Sequence, residues 1–393
     1  MFLKQKVSQS KFSIIQLCFL ALALTVITTG IFIPSGNAAQ AKASKWQKML
    51  ERNGIDRTIW QKYLPKVSHR EYRKVRKIIL AGGGQVVSAS QPAPPSLGPD
   101  IAVGLWYFDK KDTFKINANK AYNIKGKDGN VIGQVAAEAL TKVEYDDDGE
   151  LTISGSIDAK NVDDRVSFDA TDGDNSNMIF DVNKPGDSYD HFRGKIEVNY
   201  YHGEDIYGGS STKVTQLWVV NILPLEQYVW GMGETTGTGP ADHVRVMATI
   251  FRTYGDWYIE NATKYKPLGF KIRSDSNSQI YGGYDWEKDH PNIRKAADET
   301  RAQIVSYKNE VALTPYCSYT DGKTRNYPGK DYPYLKSVKD YKDGIKKSLK
   351  PGDNGNHMWG LSAHGALSYA KDGKSWQWIL KHYYSKVDIK GIY

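Results

Sequence analysis

Near its start the chain has a predominantly apolar run from Phe12 to about Ile33, preceded by Lys4, Lys6 and Lys11 and followed by small residues up to Ala41. Charged start, apolar centre and Ala-rich exit are the three parts of an export signal, with cleavage expected after Ala38 or Ala41. The run is also long enough to span a bilayer uncleaved, and the lysines on its inner side put the rest of the chain outside the cytoplasm in either case. Residues 42–81 change period: Trp46, Met49 and Leu50, then Ile59, Tyr63 and Leu64, recur at helical spacing. The stretch 82–99 loses all periodicity and fills with Gly, Ser and Pro, which is linker composition.

From Asp100 the alternation becomes two-residue. Ile101–Phe108, Phe114–Ile116, Tyr122–Ile124 and Leu151–Ser154 read as strands, separated by turns at Lys127–Asn130 and Asp148-Gly149. The acidic stretch Asp169–Asn177 lacks the spacing of a calcium loop and reads as an exposed loop. From Val214 a buried-type strand, Leu217–Ile222, leads into a helix opened by Pro224 at its first position. A long helix follows over about Asp242–Ile259, with Val244, Met247, Ala248, Phe251, Tyr254 and Tyr258 on its core side. A third helix starts at Pro291, a hairpin turns at Lys308-Asn309, and Ser362–Ala370 and Ser375–Tyr384 close the pattern as helices. The expected fold class is α+β. A basic helical appendage and a linker lead to a β-rich part, 100–213, packed with a mixed helix and strand domain, 214–393.

Charge changes this picture in one place. The net charge is +9, but residues 42–77 hold twelve basic and three acidic residues, so the excess is local to the appendage. It suits an anionic surface, whether lipid headgroup or wall polymer, or else forms a solvated helical face. Nucleic acid is not expected, because the chain is read as exported and Gly82–Gly84 lacks the Lys-Ser/Thr of a phosphate loop. With Cys18 in the apolar run, Cys317 has no partner for a disulfide. The 26 Tyr and 10 Trp fill strands and cores or stack on sugar faces, and composition leaves both open.

Several segments of the last domain resemble the SpoIID/LytB family, in the family's order. They are Val219–Gly231 followed by Glu234, Val246–Tyr254, Ser278–Gly282, Ala297–Arg301 with Ile304–Tyr307, Tyr316–Thr324 and Asn356–Ala366. The pattern departs at Thr235-Thr236, where the family has Met-Pro. It departs again at Cys317 for a histidine, at Asp321 for a glycine, and where His357 lacks its flanking glycines. The resemblance implies a wall enzyme, a peptidoglycan lytic transglycosylase with Glu234 as its catalytic acid and base. Such an enzyme needs one carboxyl where hydrolysing glycosidases need two, because the sugar's own C6 hydroxyl is the nucleophile. That carboxyl must sit in a poorly solvated place to stay protonated. Trp230, Met232 and the neighbouring glycines offer such a wall.

Substrate contacts are expected from Arg245 and Arg252, which share a helical face, unless Arg252 is spent on a salt bridge such as one to Asp256. Ser278, Gln279 and Tyr281 of the extended segment join them. His357 assists proton transfer or fixes a loop, and Ser318 and Ser362 line the cleft at most. No metal or cofactor is expected, since the family's Cys/His set is incomplete here. The expected partner is peptidoglycan. The alternative, carried by the LytB side of the resemblance, is a non-catalytic enhancer of a cell-wall amidase or a wall-binding scaffold.

Overall fold

The computed structural model describes residues 96–393, apart from 109–111, 147, 185, 187–188 and 354–355. The expected signal or anchor, the basic helices and most of the linker lie outside the described residues. The fold is α+β: two large sheets, antiparallel but for one parallel edge strand, two small ones and six α-helices among the described residues.

The larger sheet has seven strands, in spatial order Ile272–Arg273, Asp100–Phe108, Ser210–Pro224, Lys195–Asp205, Arg165–Ala170, Tyr122–Gly126 and Val131–Val135. The second has six, in the order His191–Arg193, Ile179–Asp181, Phe114–Ala118, Thr141–Tyr145, Leu151–Gly155 and Ala159–Val162. The two sheets meet through aromatic rings. Phe114 faces Phe168 at 6.3 Å and Tyr122 meets Phe180 edge-on at 5.6 Å. The strands foreseen from alternation are all present, lengthened by a few residues.

Strand Ser210–Pro224 is the middle of the molecule. Its run Leu217–Asn221 is buried on both faces. Leu217 and Val219 enter the main core, whereas Trp218 and Val220 enter a smaller cluster with Tyr265, Leu268 and Phe270. This explains why the run reads as continuously apolar rather than alternating. The same strand corrects the domain division. The boundary expected at 213/214 falls inside it, and Ser96–Tyr393 forms one compact unit.

Helix α1 (Leu225–Trp230) follows directly, with Pro224 at its cap rather than its first turn, and all six of its residues are buried. Helix α2 (Ala241–Asn261) packs across it, and Gly255 permits the crossing: a Cβ there would sit 2.9 Å from Leu225 Cδ1. Helix α3 (Gly283–Asp289) was not foreseen; it is short, polar, and opens on a glycine at φ +68°. Helix α4 (Pro291–Glu299) begins at its proline as expected. The hairpin Gln303–Tyr307 to Glu310–Val311 turns on Lys308 and Asn309, both at positive φ. Helices α5 (Ala363–Lys371) and α6 (Trp376–Tyr383) close the unit, and strand Asp388–Gly391 pairs back onto Gln303–Tyr307.

One fully buried ion pair joins α1 to α2. The guanidinium of Arg252 on α2 is fully buried and grips both carboxylate oxygens of Glu226 on α1, at 2.9 and 2.7 Å. Its remaining donors reach Ala297 O at 2.9 Å, Gln303 O at 3.2 Å and Thr300 Oγ1 at 3.4 Å. Glu226 also accepts from the Ala302 amide at 2.8 Å and the Tyr393 hydroxyl at 2.6 Å. Arg252 is therefore a fold residue. The expected substrate contact is corrected, and so is its bland alternative, since the partner is Glu226 and not Asp256. Removing one member leaves a buried charge without its counter-ion, so Glu226→Gln or Arg252→Met should each cost about 3–5 kcal/mol. Urea unfolding followed by circular dichroism checks this, and a loss under about 1 kcal/mol contradicts it.

Candidate functional site

Helix α1 ends at Gly231, and the next three residues form an edge against Ile280–Gly282. Met232 bridges Tyr281 in antiparallel register. Gly233 N–H donates to Ile280 O at 2.8 Å, and Gly282 N–H to Gly231 O at 2.9 Å. The approach is too close for side chains: a Cβ on Gly231 would lie 2.6 Å from the Gly283 carbonyl oxygen, and one on Gly233 2.9 Å from Ile280 Cγ2. This pairing delivers the Glu234 carboxyl to the Ile280 amide, which donates to Oε1 at 2.8 Å.

A chain of neutral side chains supports the carboxyl. The Tyr228 hydroxyl donates to Gln279 Oε1 at 3.0 Å, and Gln279 Nε2 donates to the Tyr316 hydroxyl at 3.4 Å. The Tyr316 hydroxyl, which accepts from Gln279, in turn donates to the Glu234 carboxyl. Burial raises the Glu234 pKa above the ordinary glutamate value, and the Ile280 and Tyr316 hydrogen bonds only partly oppose it. Burial likewise raises the Tyr316 phenol far above its usual range, so it remains a donor. Among the described residues, no other carboxylate contributes to the setting of Glu234.

Aromatic rings continue from this point. Tyr316 meets Phe251 and Tyr254 edge-on, at 5.6 and 6.4 Å. Tyr254 stacks on Tyr258 at 4.7 Å and donates a hydrogen bond to its hydroxyl at 3.0 Å. Tyr327, which packs against Trp359 at 4.9 Å, is close enough to act on both phenols of that pair. Tyr254 and Tyr258, expected on the core side of α2, are only half-buried and present this aromatic wall.

The expected site residues divide accordingly. Glu234, Ser278, Gln279 and Tyr281 lie on or beside one strand pairing. Gln279 is completely buried and Tyr281 nearly so, its hydroxyl donating to Asn221 Oδ1 at 3.0 Å. Both hold the site from behind instead of facing a ligand, which corrects their expected role as substrate contacts. His357 is neutral, with burial lowering its pKa. One ring nitrogen accepts from Trp359 N–H at 3.0 Å and the other serves the Tyr316 carbonyl, so it fixes the loop under Tyr316. Ser362 is a correction as well: it is buried and caps α5, its Oγ accepting from Gly365 N–H at 3.2 Å.

Arg245 is bound to Glu299 at 2.7 Å and Asp242 at 3.2 Å, beside a surface concavity lined by Arg294, Lys295 and Asp298 that includes no member of the Glu234 group. The substrate contact expected of it finds no support there. Ser318 is exposed, its carbonyl accepting from the His364 amide at 3.2 Å. The Cys317 thiol is buried and pushed up to about 12. Sequence reasoning missed Tyr228 and Tyr316. Tyr316 heads one of the quoted motifs, and a phenol beside a proposed acid was the available signal.

Residues 213–307 match the model of the family SpoIID, stage II sporulation protein. An uncharacterized protein of Brachyspira hyodysenteriae is 33% identical over 126 residues, covering 30% of this chain and 33% of its own length. Stage II sporulation protein D of Bacillus subtilis is 29% identical over 146 residues, covering 33% of this chain and 42% of its own. The chain thus spans between a third and about two-fifths of the length of these curated relatives.

Two measurements check the electrostatics of the site. A carboxyl with a raised folded-state pKa stabilises the fold below its unfolded pKa and loses that contribution as pH rises through the folded value. The melting temperature of Glu234→Gln relative to the parent should therefore climb between pH 4 and pH 8, and a constant difference contradicts the raised pKa. Tyr316→Phe removes a donor that favours the charged form, so a carbon-13 titration of Glu234 should move to still higher pH in that variant. A shift to lower pH contradicts the hydrogen bond.

Proposed function

We propose that this protein, a member of the SpoIID family and hence one with a cell-wall function, cuts peptidoglycan glycan strands as a lytic transglycosylase. The observation that carries this reading is a single carboxyl, desolvated and held by two neutral donors at the start of an aromatic wall. A carboxyl kept protonated by burial is a general acid near neutral pH.

In the first step Glu234 gives its proton to the glycosidic oxygen and the bond from C1 to that oxygen breaks, leaving an oxocarbenium-like sugar. Glu234 is now an anion, supported by the Ile280 amide and the Tyr316 hydroxyl. In the second step the C6 hydroxyl of the same sugar adds to C1, and Glu234 takes its proton. A 1,6-anhydro end forms, no water is consumed and the carboxyl returns to its starting state. One carboxyl suffices because the nucleophile belongs to the substrate. The rings of Tyr254, Tyr258 and Tyr316 offer the flat, partly apolar surface on which pyranose faces pack. Action on a wall polymer also requires export, which the N-terminal apolar run is proposed to provide.

Purified protein incubated with peptidoglycan, with and without stem peptides, should release products with 1,6-anhydro ends, read by mass spectrometry. Glu234→Gln should reduce release by at least about a hundredfold, the usual loss for a general acid. Reducing ends would mean hydrolysis and overturn the single-carboxyl mechanism. No product on either substrate, with stimulation of a wall amidase, would replace the enzyme by an amidase enhancer.

A further inference from the structure

A second aromatic group lies on the outside of α5 and α6. Trp378 is 41% exposed, one of few large apolar side chains so placed among the described residues. It is propped on several sides. His382, one turn along α6, stacks parallel to it at 5.2 Å and 8°, and Tyr369 of α5 meets it edge-on at 5.1 Å. The Tyr369 hydroxyl lies 3.2 Å from His382 Nε2, and Tyr341 stacks on Tyr369 at 4.7 Å and 12°. The four rings make one strip whose edges carry hydroxyls and ring nitrogens.

Lysines rim this strip: Lys339, Lys342, Lys371, Lys374 and Lys381 are all exposed. The exposed acids among them, Asp372 and Asp343, are bound to Lys342 at 2.8 Å and Lys371 at 3.0 Å. The Lys374 ammonium sits 5.0 Å from the centre of the Trp378 ring. Lys381 follows Trp378 by three positions, which brings it to the same helical face. The result is a rigid, exposed indole next to positive charge with no acid of its own.

We propose that this strip is a binding subsite for an anionic glycan, made of residues other than those around Glu234. A pyranose face packs on Trp378, and carboxylates pendant from the strand pair with Lys374 and Lys381. The inference rests on the wall-glycan reading of the substrate and adds a place that holds the polymer while Glu234 acts on it. The ring edges match the mixed polar and apolar character of a sugar, and prior stacking lowers the ordering cost of binding. A lipid surface is the poorer fit. Trp378 is the one strongly exposed large apolar side chain on α5 and α6, too little for an interfacial anchor.

The test uses the full chain carrying Glu234→Gln, so that the polymer is bound and not consumed, and measures co-sedimentation with purified peptidoglycan. Adding Trp378→Ala should weaken binding about tenfold, the factor that corresponds to about 1.4 kcal/mol. Adding Lys374→Ala with Lys381→Ala should weaken it at low salt and flatten its salt dependence. An unchanged urea midpoint for each variant shows that the fold is intact. Sedimentation unaffected by Trp378→Ala overturns the subsite, and binding insensitive to salt overturns its preference for anions. Trp378-dependent binding to phosphatidylglycerol vesicles but not to peptidoglycan overturns it in favour of a membrane contact. Because no cleavage is read, a failure to find 1,6-anhydro ends leaves this result standing, and the two readings fail separately.

Discussion

The structure depends on a charge taken out of water. Arg252 and Glu226 are both fully buried, and ionised groups of this size are tolerated there only when every donor and acceptor is matched. The match is made from five directions: α1, α2, the end of α4, the strand that follows it, and Tyr393. Such a pair gives little net stability against a well-packed apolar substitute, but it tolerates few alternative arrangements. Its effect is to fix where a six-residue helix sits. Alone, α1 is far too short to hold itself together.

What α1 positions is the edge that follows it. Gly231 and Gly233 let that edge lie flat against Ile280–Gly282, and the Glu234 carboxyl comes to rest on the Ile280 amide. From there the dependence runs outward through neutral groups only. Tyr228 orients Gln279, Gln279 orients Tyr316, and His357 holds Tyr316 from its backbone. A hydrogen-bonded chain of this kind keeps each donor pointing one way without adding a charge that would ionise the carboxyl. The buried amide of Gln279 is worth its desolvation because both its polar atoms are used.

Much of this was legible along the chain, and the parts that were not share a cause. Strand and helix positions follow from period, since residues two places apart share one face of a strand and those three or four apart one face of a helix. The order of the motifs singled out Glu234, which the fold places on the edge beside Ile280. Partners are another matter. Arg252 looked like a helix-surface cation whose nearest acid was Asp256, yet its counter-ion lies 26 positions earlier, and only the crossing of two helices brings them together. Gln279 and Tyr281 alternate as a ligand-facing pair would, but the whole segment is covered on that side by Tyr228 and Asn221. Helix α3 was missed because its seven residues open on a glycine, include four charged side chains and carry no apolar stripe. The division at 213/214 marked a real change of composition that happens to fall inside a strand.

Two glutamates eight positions apart show how environment alone assigns opposite work to one side chain. Glu226 receives a guanidinium, an amide and a phenol, so its oxygens are saturated by donors, one of them charged. Nothing remains for it to exchange, and it is closed to solvent. Glu234 receives one amide and one phenol, both neutral, and is only partly exposed, so that burial raises its pKa above the ordinary glutamate value. The second arrangement stabilises an anion weakly, which is what a group that must hold a proton and then briefly lose it requires. Adding a cation beside Glu234 would tighten the site and end its usefulness as an acid. The absence of any arginine or lysine among the groups acting on it, among the described residues, is therefore as much a part of the chemistry as the hydrogen bonds that are present.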